Sequence, residues 1–381
     1  MTRNCKALEV PLTGDSTQCL GQGGGLTTAN YLMNTLLNKK TYAIFGGGRN
    51  HPKSHAERAK SLPTLCFELV SKQKKAWQVL REGFEYLKEV RERNLSCRGF
   101  SVRLQYNPKR ITSSMAIGVE RDRKERQCFL CLNHLPEGQK GILYRNNYLI
   151  LCNPMPVLSF QFTVSHLDHR DQAIAENIDT FFQLMDDFGS GWTVLYNGPK
   201  CGASAPDHHH FHVAPSGQMP IENEIREEKK LTLMKQVQDV FLYRVKDVGR
   251  EIIILEGDDR MAMEGALKNY LKALKKVLLI DEEPMINIAG FYKESQWEER
   301  KWRLVIFPRR KHRPDAFFKE GDDRIVVSPG VIEMGGVLVT PLEKDFERLD
   351  GVTVESIYEE VSLEGKIAEK AITLFCKEQS A

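Results

Sequence analysis

The stretch Gly202-Ala-Ser-Ala-Pro-Asp-His-His-His-Phe-His-Val-Ala-Pro215 holds four of the ten histidines of the chain. Alternate side chains of an extended strand share a face, so His208, His210 and His212 are predicted to point the same way. His209 then points the other way. Neutral imidazole is both a metal ligand and a nucleophile or proton carrier near neutral pH. The row therefore predicts a strand that carries a reactive or metal-binding site.

The segments before the row predict short strands packed on one helix. Apolar residues alternate or run together in short blocks, and helical spacing marks one longer stretch. The predicted strands are 101–106, 148–152, 160–164 and 192–196, with a helix over 172–188. This pattern is typical of an antiparallel sheet with a packed helix, an α+β layout in which the histidine strand is the last strand.

Similar patterns follow Pro220. Strands are predicted at 241–245, 251–255, 302–307, 324–327 and 336–339, with a helix from 261 to 279. The segment 305–314 also echoes 162–171, because in each an apolar strand ends in a polar turn that contains His-Arg. This weak repetition favours two related halves, of which only the first has a histidine row.

The chain of 381 residues exceeds a typical single domain. We expect an N-terminal extension over 1–98, a catalytic half over 99–225 and a second, degenerate half over 226–381. The extension is predicted to be irregular over 1–56 and helical from about 74 to 92, where apolar residues recur at three- and four-residue steps.

Bulk composition restricts the function classes. With 41% hydrophobic and 28% charged residues and no apolar run of membrane-spanning length, a soluble protein without a membrane partner is expected. Nine cysteines, and an N-terminus without the apolar core of a signal peptide, favour the cytoplasm. The formal net charge of +3 makes a dedicated nucleic-acid partner an unfavoured interpretation.

The histidine row and the segment before it resemble the active-site strand of the histidine-triad superfamily. The matching pieces are Asn197-Gly198, Gly202-Ala-Ser204 and His208-x-His210-x-His212-Val-x-Pro215. The two-halved layout is similar to the galactose-1-phosphate uridylyltransferase-like branch, which includes diadenosine tetraphosphate phosphorylases and GDP-hexose phosphorylases. Three shorter segments resemble those of the GDP-hexose phosphorylases: Leu104 to Arg110, Asn153-Pro-Met-Pro156 and Pro220-Ile-Glu222.

The resemblance implies a covalent nucleotidyl transfer. His210 would attack the α-phosphorus of a nucleotide and carry the nucleotidyl group, with His208 in support. His212 would bind the non-bridging phosphate oxygens, but transferases usually have Gln at that position and hydrolases His. A nucleotidyltransferase or phosphorylase is therefore the first interpretation, and a histidine-triad hydrolase is the alternative. A non-catalytic metal- or nucleotide-binding protein is a third.

The substrate implied is a nucleoside diphosphate sugar or a dinucleoside polyphosphate, with inorganic phosphate or a sugar phosphate as acceptor. Lys109 and Arg110 are candidate phosphate contacts, although a solvated basic turn explains them equally well. Asn197 and Ser204 are expected to bind phosphate or to order the loop. Asn153 would bind ribose or cap a turn, and the turn is favoured.

A structural zinc site is the one cofactor expected. Cys128 and Cys131 have the spacing at which two thiolates grip a tetrahedral ion, and two buried free cysteines are the competing interpretation. The resemblance to uridylyltransferases adds His169 and His208 as the second pair of ligands. His166 is the rival for the third position.

Overall fold

The computed structural model describes residues 28–46, 60–111, 127–293 and 301–378. The strands are β1 (Thr41–Phe45), β2 (Arg91–Ser96), β3 (Ser101–Tyr106), β4 (Gly141–Tyr144), β5 (Tyr148–Cys152), β6 (Phe162–His166), β7 (Trp192–Asn197), β8 (His210–Pro215), β9 (Leu231–Val237), β10 (Val240–Val245), β11 (Ile253–Gly257), β12 (Ile286–Lys293), β13 (Lys301–Pro308) and β14 (Val337–Thr340). The α-helices are α1 (Thr28–Lys40), α2 (Leu62–Ala76), α3 (Gln78–Leu87), α4 (Ile178–Phe188), α5 (Pro220–Glu224), α6 (Arg260–Leu278), α7 (Val331–Met334), α8 (Glu343–Arg348), α9 (Gly351–Val361) and α10 (Gly365–Glu378).

One large sheet runs through the molecule in the order β1-β4-β5-β6-β8-β7-β12-β13-β11-β10-β9. A separate three-stranded sheet has the order β14-β3-β2. In the large sheet only β1 is paired in parallel, with β4, among the pairings of the described residues. The α+β prediction is therefore confirmed.

The large sheet consists of two halves with the same strand order. The first runs β4-β5-β6-β8-β7, with α4 between β6 and β7 along the chain, and the second runs β9-β10-β11-β13-β12, with α6 between β11 and β12. Strands β7 and β12 pair with each other, and Leu195 lies opposite Ala289 at the junction. The prediction of two related halves, each an antiparallel sheet with a packed helix, is thus confirmed. The boundaries at residues 98 and 225 stay a prediction.

The repeated order corrects the sequence echo between 305–314 and 162–171. Strand β13 takes the place of β8 in the repeat, and β11 takes the place of β6. The echo was misleading because an apolar strand followed by a polar turn is a local pattern that carries no information on topology.

The two faces of the large sheet are covered differently. Helices α2, α4, α6 and α10 contribute buried side chains to one hydrophobic core, together with Phe211 and Val213 of β8. The three-stranded sheet and α9 cover the other face, where Leu195 and Ala214 belong to a second core. Because side chains alternate along β8, His210 and His212 point toward the second face. The candidate site therefore lies on the face that the small sheet covers.

Two expectations about the N-terminal part were wrong in detail. The irregular stretch predicted over 1–56 contains α1 and β1, while residues 1–27 and 47–59 lie outside the described residues. Leu36 and Leu37 of α1 pack against a small cluster around Leu149, a tertiary contact that local composition does not reveal. The helix predicted over 74–92 is instead α2 and α3, separated at Trp77, whose backbone is extended.

Elsewhere the main corrections concern element ends. The helix predicted from 172 begins at Ile178, and residues 324–327 form no strand. None of the described helices combines the length and the apolar character that a bilayer crossing requires.

Candidate active site

The histidine row lies where strands β6, β7 and β8 meet. On one side of β8, Ser165 of β6 lies opposite His210 and Thr163 lies opposite His212. On the other side, Leu195 of β7 lies opposite His212, and the ladder ends there. The row thus occupies an opening between two strands at the middle of the large sheet.

His210 has one fixed ring nitrogen and one without a partner. Its Nδ1 lies 2.8 Å from the carbonyl oxygen of His208, and since a carbonyl only accepts, Nδ1 carries the proton. Its Nε2 is buried and has no hydrogen-bond partner among the described residues. Burial lowers the pKa of His210, although the bond to His208 opposes this shift. The ring is therefore neutral near pH 7, with the lone pair of a nucleophile on Nε2.

His212 lies beside His210 on the same face. The two ring centroids are 5.2 Å apart, and the Nδ1 of His212 lies 3.3 Å from the hydroxyl of Thr163. Burial, followed by the nearby His210, lowers the pKa of His212 to about 3. The two imidazoles are thus both neutral and close enough to act on one phosphate group.

The side chain of His208 points to Cys128, Cys131 and His169. Together these are the four residues predicted as metal ligands. The Nδ1 of His208 lies 3.3 Å from Cys128 Sγ, 3.6 Å from Cys131 Sγ and 3.3 Å from His169 Nδ1. The Nδ1 of His169 lies 3.2 Å from Cys131 Sγ. The Nε2 of His208 lies 2.9 Å from the carbonyl oxygen of His166, so it carries the ring proton and leaves Nδ1 as a lone pair toward the cluster.

The spacing of this cluster fits a tetrahedral ion. Zinc bonds of about 2.3 Å to sulfur and about 2.0 Å to nitrogen place tetrahedral S and N ligands about 3.5 Å apart, and two N ligands about 3.3 Å apart. The four ligand atoms lie within 4.8 Å of one another, so the cluster can hold a metal ion. The rival ligand His166 instead directs Nδ1 to the backbone of Asp168, at 2.9 Å from its nitrogen.

His209 points away from the row, as the alternation predicts. It is fully buried, and its ring meets Phe211 edge-on at 4.8 Å and Tyr148 at 6.1 Å between centroids. Neither of its ring nitrogens has a hydrogen-bond partner among the described residues. His209 thus belongs to the aromatic core below the sheet.

Asn197 ends β7 and joins the two halves of the molecule. Its Oδ1 accepts hydrogen bonds from the Val331 amide at 2.7 Å and from Asn287 Nδ2 at 2.8 Å. Both contacts come from the second half, and they fix the orientation of the side-chain amide. Close by, Gly202 packs on Gly330, where an added Cβ would lie 2.8 Å from the Gly330 Cα. The loop before the histidines is thus held against the second half.

The two basic candidates are placed differently. Arg110 donates to the Met155 carbonyl oxygen at 3.0 Å, and its charge is near enough to His212 to lower the pKa of that ring further. Lys109 is exposed and places Nζ 4.3 Å from the centroid of the Tyr86 ring on α3. The structure therefore brings Arg110 to the row and turns Lys109 toward α3.

The remaining candidates have simple surroundings. Asn153 accepts a hydrogen bond from the Met155 amide at 3.0 Å, which is a side-chain cap of a turn. Ser204 is exposed in the loop between β7 and β8.

Two residues near the row were not predicted from the sequence. Glu333 of α7 accepts from the Gly330 amide at 2.9 Å. Burial lowers the pKa of the Arg110 guanidinium, and the charge of the Glu333 carboxylate opposes this shift. Gln172, in the segment before α4, bonds to the backbone of both Asn197 and His210. Neither residue belongs to a motif or to a periodic pattern, so only the tertiary structure reveals it.

The second half carries an ion pair where the first half has its site. By strand register, Glu256 of β11 corresponds to Ser165, and its partner Arg303 of β13 corresponds to His210. Arg303 and Glu256 are 2% and 3% exposed, and Arg303 Nε donates to Glu256 Oε2 at 2.8 Å. A buried salt bridge therefore occupies the equivalent position, and β12 stays paired with β13 there, with Phe291 opposite Arg303.

Comparisons with known proteins give one family match by sequence and several similar solved structures. Residues 69–215 match the sequence profile of a family described as Domain of unknown function (DUF4922). No curated protein matches the chain by sequence.

Three kinds of solved structure are similar to the chain. Yeast Ap4A phosphorylase Apa2 in complex with AMP is 13% identical with a TM-score of 0.49, over 76% of this chain and 96% of that chain. A DUF4931 family protein from Bacillus cereus ATCC 10987 is 14% identical with a TM-score of 0.32, over 45% of this chain and 86% of that chain. A uridylyltransferase mutant is 11% identical with a TM-score of 0.33, over 61% of this chain and 89% of that chain.

Proposed function

We propose that the protein is a nucleotidyltransferase that cleaves a nucleoside diphosphate sugar or a dinucleoside polyphosphate through a covalent nucleotidyl-His210 intermediate. The observation that carries the proposal is the state of His210. Its Nδ1 is fixed by the His208 carbonyl at 2.8 Å, and its Nε2 is buried without a partner among the described residues. A nucleophile needs a fixed tautomer that leaves the lone pair on the attacking nitrogen, whereas the core residue His209 has neither ring nitrogen fixed by a hydrogen bond among the described residues.

The first half-reaction forms one bond and breaks one. The Nε2 lone pair attacks the α-phosphorus, the P–N bond forms, and the bond from that phosphorus to the bridging oxygen breaks. The leaving group keeps the electron pair; it is a sugar phosphate when the substrate is a nucleoside diphosphate sugar and a nucleoside polyphosphate when the substrate is a dinucleoside polyphosphate. The positive charge that develops on the ring is stabilised by the Nδ1–H bond to the His208 carbonyl.

The second half-reaction reverses these bonds with another acceptor. An oxygen of inorganic phosphate or of a sugar phosphate attacks the same phosphorus, the P–N bond breaks, and Nε2 regains its lone pair. His212 and Arg110 lie beside the row and would bind the non-bridging oxygens, whose negative charge grows in the transition state. Asn197 would add an amide donor from the end of β7. Direct substrate contacts of Lys109, Asn153 and Ser204 stay predictions.

One observation favours hydrolysis as a second candidate function. His212 accepts or donates at Nδ1 to Thr163 and can present a proton at Nε2, so it can serve as an acid where a glutamine cannot. Water would then be the acceptor, with the same nucleotidyl-His210 intermediate.

Zinc is the proposed occupant of the cluster formed by Cys128, Cys131, His169 and His208. A soft cation with tetrahedral preference suits two thiolates and two imidazoles, and when bound it supplies charge that keeps the thiolates deprotonated. Burial and the neighbouring Cys128 otherwise raise the pKa of Cys131 to about 11. The site would brace His208, whose carbonyl orients the nucleophile.

The test is the capture of the intermediate. The protein is incubated without acceptor with Ap4A, UDP-glucose or GDP-mannose, quenched at alkaline pH and weighed intact by mass spectrometry. We expect a nucleoside monophosphate adduct that acid removes, present in the wild type and in a His312→Asn control and absent in His210→Asn. If none of the three probes yields an adduct, the covalent mechanism is wrong.

A second measurement separates the two acceptors. Turnover of the reactive probe is followed with and without inorganic phosphate. Transfer predicts that products depend on phosphate, whereas products that form equally fast in its absence would favour the hydrolase.

A further inference from the structure

We propose that Gln172 is a positioning residue that holds the backbone of His210, and through it the nucleophilic ring, in the gap between β7 and β8. This inference rests on the proposed role of His210. It concerns a side chain that lies outside the histidine row and outside every motif in the sequence.

The gap has a defined register. Strands β7 and β8 pair antiparallel up to Leu195 opposite His212. Continuing that register outward by two residues along each strand would place Asn197 opposite His210. These two residues are not paired with each other, although on the other edge of β7 the pairing with β12 continues and Asn197 lies opposite Asn287. The next rung of the ladder is therefore open at the nucleophile.

The carboxamide of Gln172 fills this open rung. Its Nε2 donates to the Asn197 carbonyl and to the His210 carbonyl, each at 2.9 Å. Its Oε1 accepts from the His210 amide at 2.8 Å. One side chain thus replaces the hydrogen bonds that a neighbouring strand would have made, and it satisfies both backbone groups of the nucleophile.

Gln172 is itself fixed in place. It is 3% exposed, and its backbone amide donates to the Pro206 carbonyl at 3.1 Å in the loop that leads to the histidines. All three side-chain bonds have the polarity of a carboxamide, with two donors and one acceptor. A carboxylate has no proton to give to the two carbonyls, and a thioether offers no comparable donor.

The consequence concerns the orientation of the attacking ring. The tautomer of His210 depends on its Nδ1–H bond to the His208 carbonyl, only two residues along the same backbone. If the His210 backbone shifts, this hydrogen bond weakens, and Nε2 is no longer aligned for attack on the α-phosphorus. Misplacement of about 1 Å in an active site can cost about 100-fold in rate. Gln172 also ties Asn197, a proposed phosphate contact, to the same point.

The experiment compares Gln172→Met with a matched control, Gln73→Met. Gln73 is a second buried glutamine whose side chain bonds to backbone groups. Its Nε2 donates to the Gly138 carbonyl at 3.0 Å, and its Oε1 accepts from the Lys140 amide at 2.9 Å. Both variants lose backbone bonds, so both should lower the melting temperature. Only Gln172→Met should slow the single-turnover formation of the adduct, by about 100-fold, while the substrate concentration at half-maximal rate stays within about twofold.

A second readout needs no substrate. In protein labelled with ¹⁵N-histidine, the signals of His210 are identified by their loss in His210→Asn. We expect the Nδ1–H tautomer in the wild type and in Gln73→Met, and a mixture of tautomers in Gln172→Met. If Gln172→Met does not fold, Gln172→Glu replaces it, because the glutamate keeps the acceptor for the His210 amide and loses the donors.

The outcomes separate this inference from the proposed function. Equal adduct rates and an unchanged His210 tautomer in the Gln172 variant, with a normal adduct in the wild type, would overturn the role of Gln172 alone. A wild type that forms no adduct would overturn the proposed function, and the tautomer measurement would still decide whether Gln172 fixes the ring.

Discussion

Replacing His209 with leucine should stabilise the protein. The side chain is fully buried, and its two ring nitrogens have no hydrogen-bond partner among the described residues. A buried polar group without a partner costs about 1–3 kcal/mol in proteins. Leucine has a similar volume and no polar atoms, but it gives up the edge contact with Phe211, which is worth about 0.5–1.5 kcal/mol. The expected net gain is about 1 kcal/mol in the free energy of unfolding.

Urea denaturation followed by tryptophan fluorescence measures this change, with His209→Ala as a comparison that leaves a cavity and should destabilise. The rate of adduct formation in His209→Leu should equal that of the wild type, because the ring points away from His210. A loss of more than about 1 kcal/mol in His209→Leu would refute the inference that this imidazole is unsatisfied.

Three further predictions concern the metal cluster, the choice of acceptor and the salt bridge of the second half. Cys131→Ser should lose bound zinc in elemental analysis and lower the melting temperature, whereas Cys376→Ser should keep the metal; protein that contains no zinc before mutation would contradict the site. His212→Gln should raise the ratio of phosphorolysis to hydrolysis about tenfold, and an unchanged ratio would show that this residue does not select the acceptor. Arg303→Met should lower the free energy of unfolding by about 3–5 kcal/mol, because it leaves Glu256 buried without its main partner. Urea denaturation that gives the same free energy of unfolding as the wild type would contradict this prediction.

Local sequence patterns predicted the central elements well. The predicted strands at 101–106 and 148–152 coincide with β3 and β5, and helix α6 lies within one residue of its prediction at each end. Side-chain alternation placed His209 on the opposite face from His210, as the structure shows. These successes share one cause, since strand and helix periodicity is a property of neighbouring residues.

The four predicted metal ligands also come together in the structure, although the two histidines came from a resemblance and not from spacing. A Cys-x-x-Cys motif alone does not show which distant histidines complete the site, because that depends on how the strands fold.

The contacts that the sequence did not reveal are long-range. The pairing of β7 with β12 joins the two halves into one sheet, and it fixes Asn197 through Asn287. The Gln172 carboxamide acts across 38 residues of chain on His210. A single glutamine at the start of a predicted helix belongs to no apolar periodicity and to no motif, so its function depends on the register of strands that lie far from it in sequence.

The most direct test of the central claim is the location of the nucleotidyl group. The adduct is digested under alkaline conditions, and the peptide that contains the histidine row is fragmented by electron transfer, which preserves the P–N bond. The account predicts the nucleoside monophosphate on His210. Its presence on His208 or His212, or its absence from the whole row, would contradict the proposed mechanism.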